Sequence, residues 1–307
     1  MNSLDYRGLA VLDAVAASGS FEKAALVLGI SQSAVSQRIK ALEDATGRLL
    51  VVRGTPSVPT GLGQRLVVHH RHVKLMEAAL DIDLGRELSL PDLSIAIDAD
   101  SLATWFAQAL PALMSPPRCQ LDIRQADSEQ ALRLVREGAV FACVAGSSDG
   151  GDGAEGANGT SATPLGLLRY SCVATPAFAG HWFGDGFSLE AVKLAPAVVS
   201  ERMLLARYLA QHFGDGDGDG SEHLGAFPHH TLPAAALDGC ILQGVAYGLM
   251  PELSALSQIA MGRLVDLTPG KTFSIALSWH AWNIDTPFTR TLSEHIIDSA
   301  RRYLPQA

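Results

Sequence analysis

FEKAALVLGISQSAVSQRIKALEDAT, residues 21–46, decides how the rest of this chain is read. At helical spacing Phe21, Ala24, Ala25 and Leu28 line one apolar stripe. Gly29 interrupts the stripe, where a tight turn needs positive φ. Ser31 follows as a candidate N-cap, and Ala34, Val35, Ile39 and Leu42 rebuild an apolar stripe on a second helix. Two short helices joined by such a turn form the helix-turn-helix pattern. On the outward face of the second helix stand Gln32, Ser33, Ser36, Gln37, Arg38 and Lys40. These are donors and acceptors of the kinds that meet base edges and phosphates. An ordinary helical hairpin with a solvated polar face would have the same spacing, so the pattern alone leaves both readings open.

The flanking sequence extends the pattern. Residues 4–17 carry Leu4, Leu9, Leu12, Val15 and Ala16 near one face and predict a first helix, stopped by Ser18-Gly19-Ser20. Leu49–Arg53 and Val58–Pro59, on either side of Gly54, Thr55 and Pro56, predict a short hairpin. From Thr60 to Leu84 there is no proline, and Leu62, Leu66, Val67, Val73, Leu75, Met76, Ala79 and Leu80 give a wide apolar face. With nothing local to cover it, that face is expected to bury against a second copy of the chain. His69, His70 and His72 lie here without a carboxylate or cysteine to complete a metal site, and are expected to be solvated or at an interface.

SQSAVSQRIKALE, preceded by SFEKAALVLGI, closely resembles the winged helix-turn-helix of LysR-type transcriptional regulators. LLVVRGTPSVPTGLGQRL is similar to that family's wing and the start of its linker helix, with Arg53 in the wing and Thr60 opening the helix. DYRGLAVLDAV, IAIDADSLATW, and LVDLTPG followed by WHAWNIDTP resemble the subgroup that controls lysine and arginine export. The likeness runs over about residues 4–304. It implies an α/β chain with an all-α winged head at residues 1–59 and a linker and dimerisation helix at 60–88. A two-lobed, periplasmic-binding-protein-like effector domain is implied beyond it, with lobe I at 89–164 plus 267–307 and lobe II at 165–266. The implied partners are double-stranded operator DNA, a second copy in a dimer or tetramer, and RNA polymerase, in a cytoplasmic, nucleoid-associated protein. Lysine or arginine is the implied effector, with no cofactor, and Arg53 is an implied minor-groove or backbone contact.

Charge and composition agree with such a protein. The total is −9, yet residues 1–74 hold nine Lys/Arg against five acids, a net of +4, which leaves −13 on the remainder. A basic head on an acidic body focuses the favourable field on one end. No apolar run approaches the roughly 18–20 residues of a membrane span, and MNSLDYRGLA lacks the layout of a secretory signal. Cys119, Cys143, Cys172 and Cys240 are widely spaced and read as reduced side chains.

Beyond Leu90 the style changes. LSIAIDA, CQLDIRQA and AVFACVAG read as strands separated by helices predicted at Ser101–Met114 and Glu129–Glu137, the signature of a parallel α/β sheet. The pattern restarts with LLRYSCVAT and APAVVS, then a helix Glu201–His212 and GVAYGLMP. Crossings between the halves are expected near Thr163–Gly166 and Asp266–Pro269, and Pro287–Tyr303 as a terminal helix. Residues 146–163 and 214–221 are Gly-, Asp- and Ser-rich and are expected to be surface loops. Asp215-Gly-Asp217-Gly-Asp219-Gly220 begins like a calcium loop, but Ala226 stands where the bidentate Glu belongs.

No G-x-S-x-G, Walker loop, H-E-x-x-H or strand-borne G-x-G-x-x-G is present, so the chain reads as a binder and not an enzyme. Gln32, Ser33 and Ser36 are the candidates for base edges, flanked by Ser31 and Gln37, with Arg38 and Lys40 on phosphates. For the effector, Asp98, Asp100, Ser101 and Thr104 sit where the first strand of the α/β region meets a helix, a place suited to an α-carboxylate. Asp127 ends the adjacent strand as a counter-charge for a cation, and Ser200 closes APAVVS. Simple helix capping by Asp100 or Ser101 is the competing reading. One departure stands out: where the subgroup leads one to expect Ser and Glu at the head of the helix near 232–243, this chain has Leu232-Pro-Ala-Ala-Ala-Leu237. A solute-binding protein, or an architectural DNA-binding protein that inhibits replication initiation, are the rival functions.

Overall fold

Three helices start at side-chain caps and stop at glycines, which is why they are short and well bounded. The computed structural model describes residues 4–85, 92–114, 119–147, 159–200, 202–214, 227–271 and 273–306. In it, α1 (Tyr6–Ser18) opens at Asp5, α2 (Phe21–Leu28) at Ser20 and α3 (Gln32–Thr46) at Ser31, each cap oxygen accepting a first-turn N–H. Each ends at a left-handed glycine, Gly19, Gly29 and Gly47, as the turn geometry requires. Leu9, Leu12, Val15, Ala24, Val35, Ile39 and Leu42 form the head's own core.

The wing is β1 (Val51–Val52) paired antiparallel with β2 (Val58–Pro59). Glu43 of α3 accepts from Leu50 N–H at 2.8 Å, and Thr60 N–H donates to Leu50 C=O at 2.8 Å. These bonds fix the wing against α3 and aim α4 (Gly61–Asp83), whose N-cap is Thr60.

Part of the apolar face of α4 is covered within the chain itself. Leu62, Leu66 and Val67 pack into the head's core, while Leu75 and Ala79 pack on the core of the α/β region. Met76, Leu80, Ile82 and Leu84 stay exposed. The sequence shows that the face is apolar, but local neighbours claim its first half. His69 meets the Tyr6 hydroxyl at 3.2 Å, His70 is buried, and the His72 ring lies edge-on to Trp282 at 4.4 Å.

The main sheet runs β10 (Val265–Asp266), β6 (Thr160–Ala174), β11 (Phe273–Trp282), β5 (Ala142–Ser147), β3 (Asp92–Ile97) and β4 (Gln120–Gln125), with β9 (Gly248–Pro251) also on β6. Strands β3 (Asp92–Ile97), β4 (Gln120–Gln125) and β5 (Ala142–Ser147) are parallel, carrying α5 (Ala99–Ala103), α6 (Leu110–Met114) and α7 (Ser128–Arg136). The helix predicted over Ser101–Met114 is broken into α5, a 3-10 turn Phe106–Gln108, and α6. Thr104 leaves helical geometry (φ −118, ψ −107), and Pro111 has no N–H to continue the ladder.

Two long strands join the halves. β6 (Thr160–Ala174) and β11 (Phe273–Trp282) pair antiparallel, with an irregularity at Leu277/Ser278 opposite Gly166 and Pro164. At Gly166 (φ +128) a Cβ would come within 2.8 Å of Pro305 C=O, so this close approach to the C-terminal segment needs glycine. Of the loop expected over 146–163, residues 146–147 belong to β5 and 160–163 to β6. Residues 148–158 lie outside the described residues, as do 215–226 with the would-be calcium loop.

The second half contains β7 (Ala197–Val199) and β8 (His229–Thr231), paired parallel, with β9 (Gly248–Pro251) and β10 (Val265–Asp266) on β6. The helices Arg202–Phe213, Ala234–Leu242 and Glu252–Ala260 flank them. The last helix, Pro287–Tyr303, starts at a Thr286–Thr289 capping box with proline in its first turn and returns to the first half beside Trp105.

Candidate functional site

The head presents the outward face of α3. Burial of Val35, Ile39 and Leu42 turns Gln32, Ser33, Gln37, Arg38 and Lys40 to solvent, with Ser36 at the margin. Ser31 is first a cap: its Oγ accepts from Ala34 N–H at 3.2 Å and lies 2.9 Å from Ser33 Oγ. Ser36, Gln37, Lys40, Glu43 and Asp44 of α3 line an open groove together with Gly47, Arg48, Leu49 and Arg53 from the wing side. Arg53 stacks over the Phe21 ring, 4.9 Å from its centroid, which holds its cation beside the start of α2. Arg38 lies outside that groove. Arg48 was missed by motif reading; its signal was the surplus of basic residues in the head. Three cations, Lys40, Arg48 and Arg53, outnumber the two carboxylates here, and Glu43 is already taken up by Leu50 N–H, so the groove with its Ser36 and Gln37 side chains suits a phosphate backbone with base edges beside it.

The other candidate residues surround the end of β3. Asp98 is the N-cap of α5, accepting from Ser101 N–H at 2.8 Å, so the cap is neither Asp100 nor Ser101. Burial raises the Asp98 carboxyl above the usual carboxylate range. Asp100 accepts from the Tyr170 hydroxyl at 2.8 Å. Thr104 Oγ1 donates to Asp100 C=O at 2.6 Å. Asp127 is exposed and caps α7 through Gln130 N–H at 2.7 Å.

Of these residues, Asp100 and Ser200 are brought together. Both line a cleft between the two halves, walled also by Val198, Leu204, Leu205, Leu237, Asp238 and Leu249. It sits at the carboxyl ends of β3, β7 and β9, where strand ends leave room for ligands. Its space is about 380 Å³ with the open mouth included. Asp98, Ser101, Thr104 and Asp127 do not line it. Asp238, which the reading of the sequence passed over, does, and burial raises its carboxyl from the ordinary range.

The head and the α/β region are in direct contact. Arg71 of α4 reaches Asp13 Oδ1 through Nε (2.8 Å) and Nη2 (2.7 Å), and its Nη1 donates to Gly138 C=O at 2.8 Å. The Gln64 amide donates to Glu137 C=O. Among the described residues no helix is long and apolar enough to cross a membrane, and no group of three His, Cys, Asp or Glu could hold a metal ion.

Comparison with known proteins places these features in a family. The family described as "Bacterial regulatory helix-turn-helix protein, lysR family" matches residues 6–64. The HTH-type transcriptional regulator ArgP of Pseudomonas fluorescens Pf0-1 is 37% identical over 308 residues, covering 98% of each chain. The crystal structure of ArgP from Mycobacterium tuberculosis superposes with a TM-score of 0.85 at 30% identity, over 99% of this chain and 100% of that one. Full-length LysG from Corynebacterium glutamicum with bound effector Arg gives a TM-score of 0.76 at 29% identity, over 98% and 99%. These matches fix the architecture as a helix-turn-helix head on a two-lobed, periplasmic-binding-protein-like effector domain. By sequence along its whole length and by fold, the chain belongs to the LysR family of bacterial transcriptional regulators, a family of regulators and not of enzymes.

Proposed function

We propose that the protein binds double-stranded operator DNA as a homo-oligomer and changes its grip when a basic amino acid, lysine or arginine, enters the interlobe cleft. The observation that carries this reading is the cleft itself: Asp100 from one half and Ser200 and Asp238 from the other converge on an aliphatic floor. Its similarity to a LysG that holds arginine supports the ligand class. A ligand in the cleft touches both halves, and α4 is bonded to the first of them through Arg71 and Gln64, which gives a change at the cleft a path to the head. The division of labour follows: residues 1–59 read DNA, 60–88 link and associate, 89–164 plus 267–307 form lobe I, and 165–266 form lobe II. A gene for amino-acid export or related metabolism is the target class, with RNA polymerase as the downstream partner, in the cytoplasm.

On DNA, Gln32, Ser33 and Ser36 read bases, Ser31 and Gln37 flank them, and Arg38, Lys40 and Arg53 hold phosphates. Ser33→Ala or Gln32→Ala should narrow the gap between a selected site and random DNA by about 1–3 kcal/mol each. Arg38→Ala should weaken both and flatten the salt dependence by about one unit. Equal losses on both DNAs for all three variants would refute these roles. Thermal-shift screening against the twenty amino acids tests the effector class, since a ligand at about 100 times its dissociation constant stabilises by about 2.7 kcal/mol. A shift with neutral or acidic amino acids alone would count against it.

A further inference from the structure

We propose that Asp238 makes the cleft selective for a cationic side chain, an assignment that rests on the effector-cleft reading above. The helix Ala234–Leu242 supplies one wall of the cleft through Ala234, Leu237 and Asp238. Its opening brings alkyl groups where polar ones would be expected. Pro233, at the N-cap, makes no side-chain cap bond, and Ala234, Ala235 and Ala236 follow. Asp238, one turn further on, is the helix's one charged side chain.

Its surroundings are what a counter-ion site needs before the ion arrives. Asp238 is half-buried beside Leu237 and shares the cleft with Val198, Leu204 and Leu205. Among the described residues it has no hydrogen-bond or ion-pair partner, and burial is the sole cause that raises its carboxyl. A carboxylate held against apolar walls without a partner is unfavourable until a cation joins it. Asp100, on the other half of the domain, is in a different condition, because the Tyr170 hydroxyl already donates to it. The larger unmet electrostatic demand is therefore at Asp238. Two carboxylates, one from each half, in a cleft lined otherwise by aliphatic side chains suit a molecule with two cations joined by an alkyl chain, which is the form of lysine and arginine. Asp238 takes the side-chain cation, and in doing so ties one half of the domain to the other through the ligand.

The test is titration calorimetry on the full-length protein with L-arginine and L-citrulline, which have the same length but differ in side-chain charge. Asp238→Asn keeps the shape and removes the charge. It should weaken arginine by about 10- to 150-fold, the loss of a charge-assisted hydrogen bond. Citrulline should change by less than about threefold. Asp238→Glu should keep the preference for arginine, and Asp238→Ser gives a second neutral variant should the first not fold. Unchanged affinity for operator DNA without ligand establishes that a variant is intact. Equal losses for arginine and citrulline would put Asp238 at the α-ammonium and overturn the proposal, as would no loss for either. If the wild type binds neither arginine nor lysine, the effector-cleft reading fails and takes this inference with it. Wild-type binding that survives Asp238→Asn overturns the inference alone.

Discussion

Replacing Arg71 by alanine should loosen the joint between the DNA-reading head and the effector domain. One guanidinium there makes two contacts to Asp13 Oδ1, at 2.8 and 2.7 Å, and one to Gly138 C=O at 2.8 Å. The side chains of Arg71 and Asp13 are 26% and 19% exposed. That places the pair between an exposed one, worth about 0–1 kcal/mol, and a buried one whose breaking costs about 3–5 kcal/mol. A loss of about 2 kcal/mol follows, or about 30-fold in the local opening equilibrium. Hydrogen exchange read by mass spectrometry on the full-length protein would show it. Residues 64–72 and 134–141 should exchange about 30-fold faster in Arg71→Ala, while Glu252–Ala260, remote from the joint, keeps its rate. Arg71→Lys should recover only part, since an ammonium lacks the planar fork that serves both acceptors. With Asp13→Ala a double-mutant cycle should return about 1 kcal/mol of coupling. Wild-type exchange at 134–141 in Arg71→Ala, or strict additivity in the cycle, would show that these bonds do not carry the joint.

Three further outcomes can be checked. Burial against Trp282 holds His72 down to about 4, so the folded protein favours the neutral ring. The unfolded chain takes up that proton between about pH 6.5 and 4, so stability falls as pH is lowered through this window and is level above it. Allowing for the ring's partial exposure, the term is about 1–2 kcal/mol, and the gap in urea midpoint between wild type and His72→Gln should close from pH 7.5 to 4.5; a gap independent of pH refutes it. Leu80→Asp with Ile82→Asp puts charge on the exposed end of α4 and should abolish self-association in light scattering; an unchanged mass would locate the contact elsewhere. Gly138 has φ +61, and a Cβ there would lie 2.7 Å from Val68 Cγ2. Gly138→Ala should cost about 2–4 kcal/mol of strain and overpacking, with Val68→Ala relieving the packing part in a melting experiment.

What could be read from the sequence depended on how local its cause is. The head was legible because its signals are consecutive: Ser20 and Ser31 cap, Gly29 turns, and Val35, Ile39 and Leu42 recur on one face. Pro287–Tyr303 was legible to its ends for the same reason, with Thr286 and a proline at its start. Where the deciding partner is distant, local pattern points elsewhere. Thr160–Thr163 looked like loop, yet these polar residues are a strand because Trp279–Trp282 lie beside them. The face of α4 was correctly seen as apolar, but sequence cannot say that the head takes Leu62 and Leu66 and the effector domain takes Leu75. The cleft is the extreme case. Asp100 announced itself at a strand-to-helix junction, whereas Asp238 sits inside a helix whose opening reads as Pro-Ala-Ala-Ala. No period or spacing marks it out, because what brings it to the cleft is the placing of two halves beside one another by β6 and β11. A ligand site built between lobes is hidden from local pattern for that reason: its members have separate local explanations, and their common one appears when the strands that join the lobes are in place.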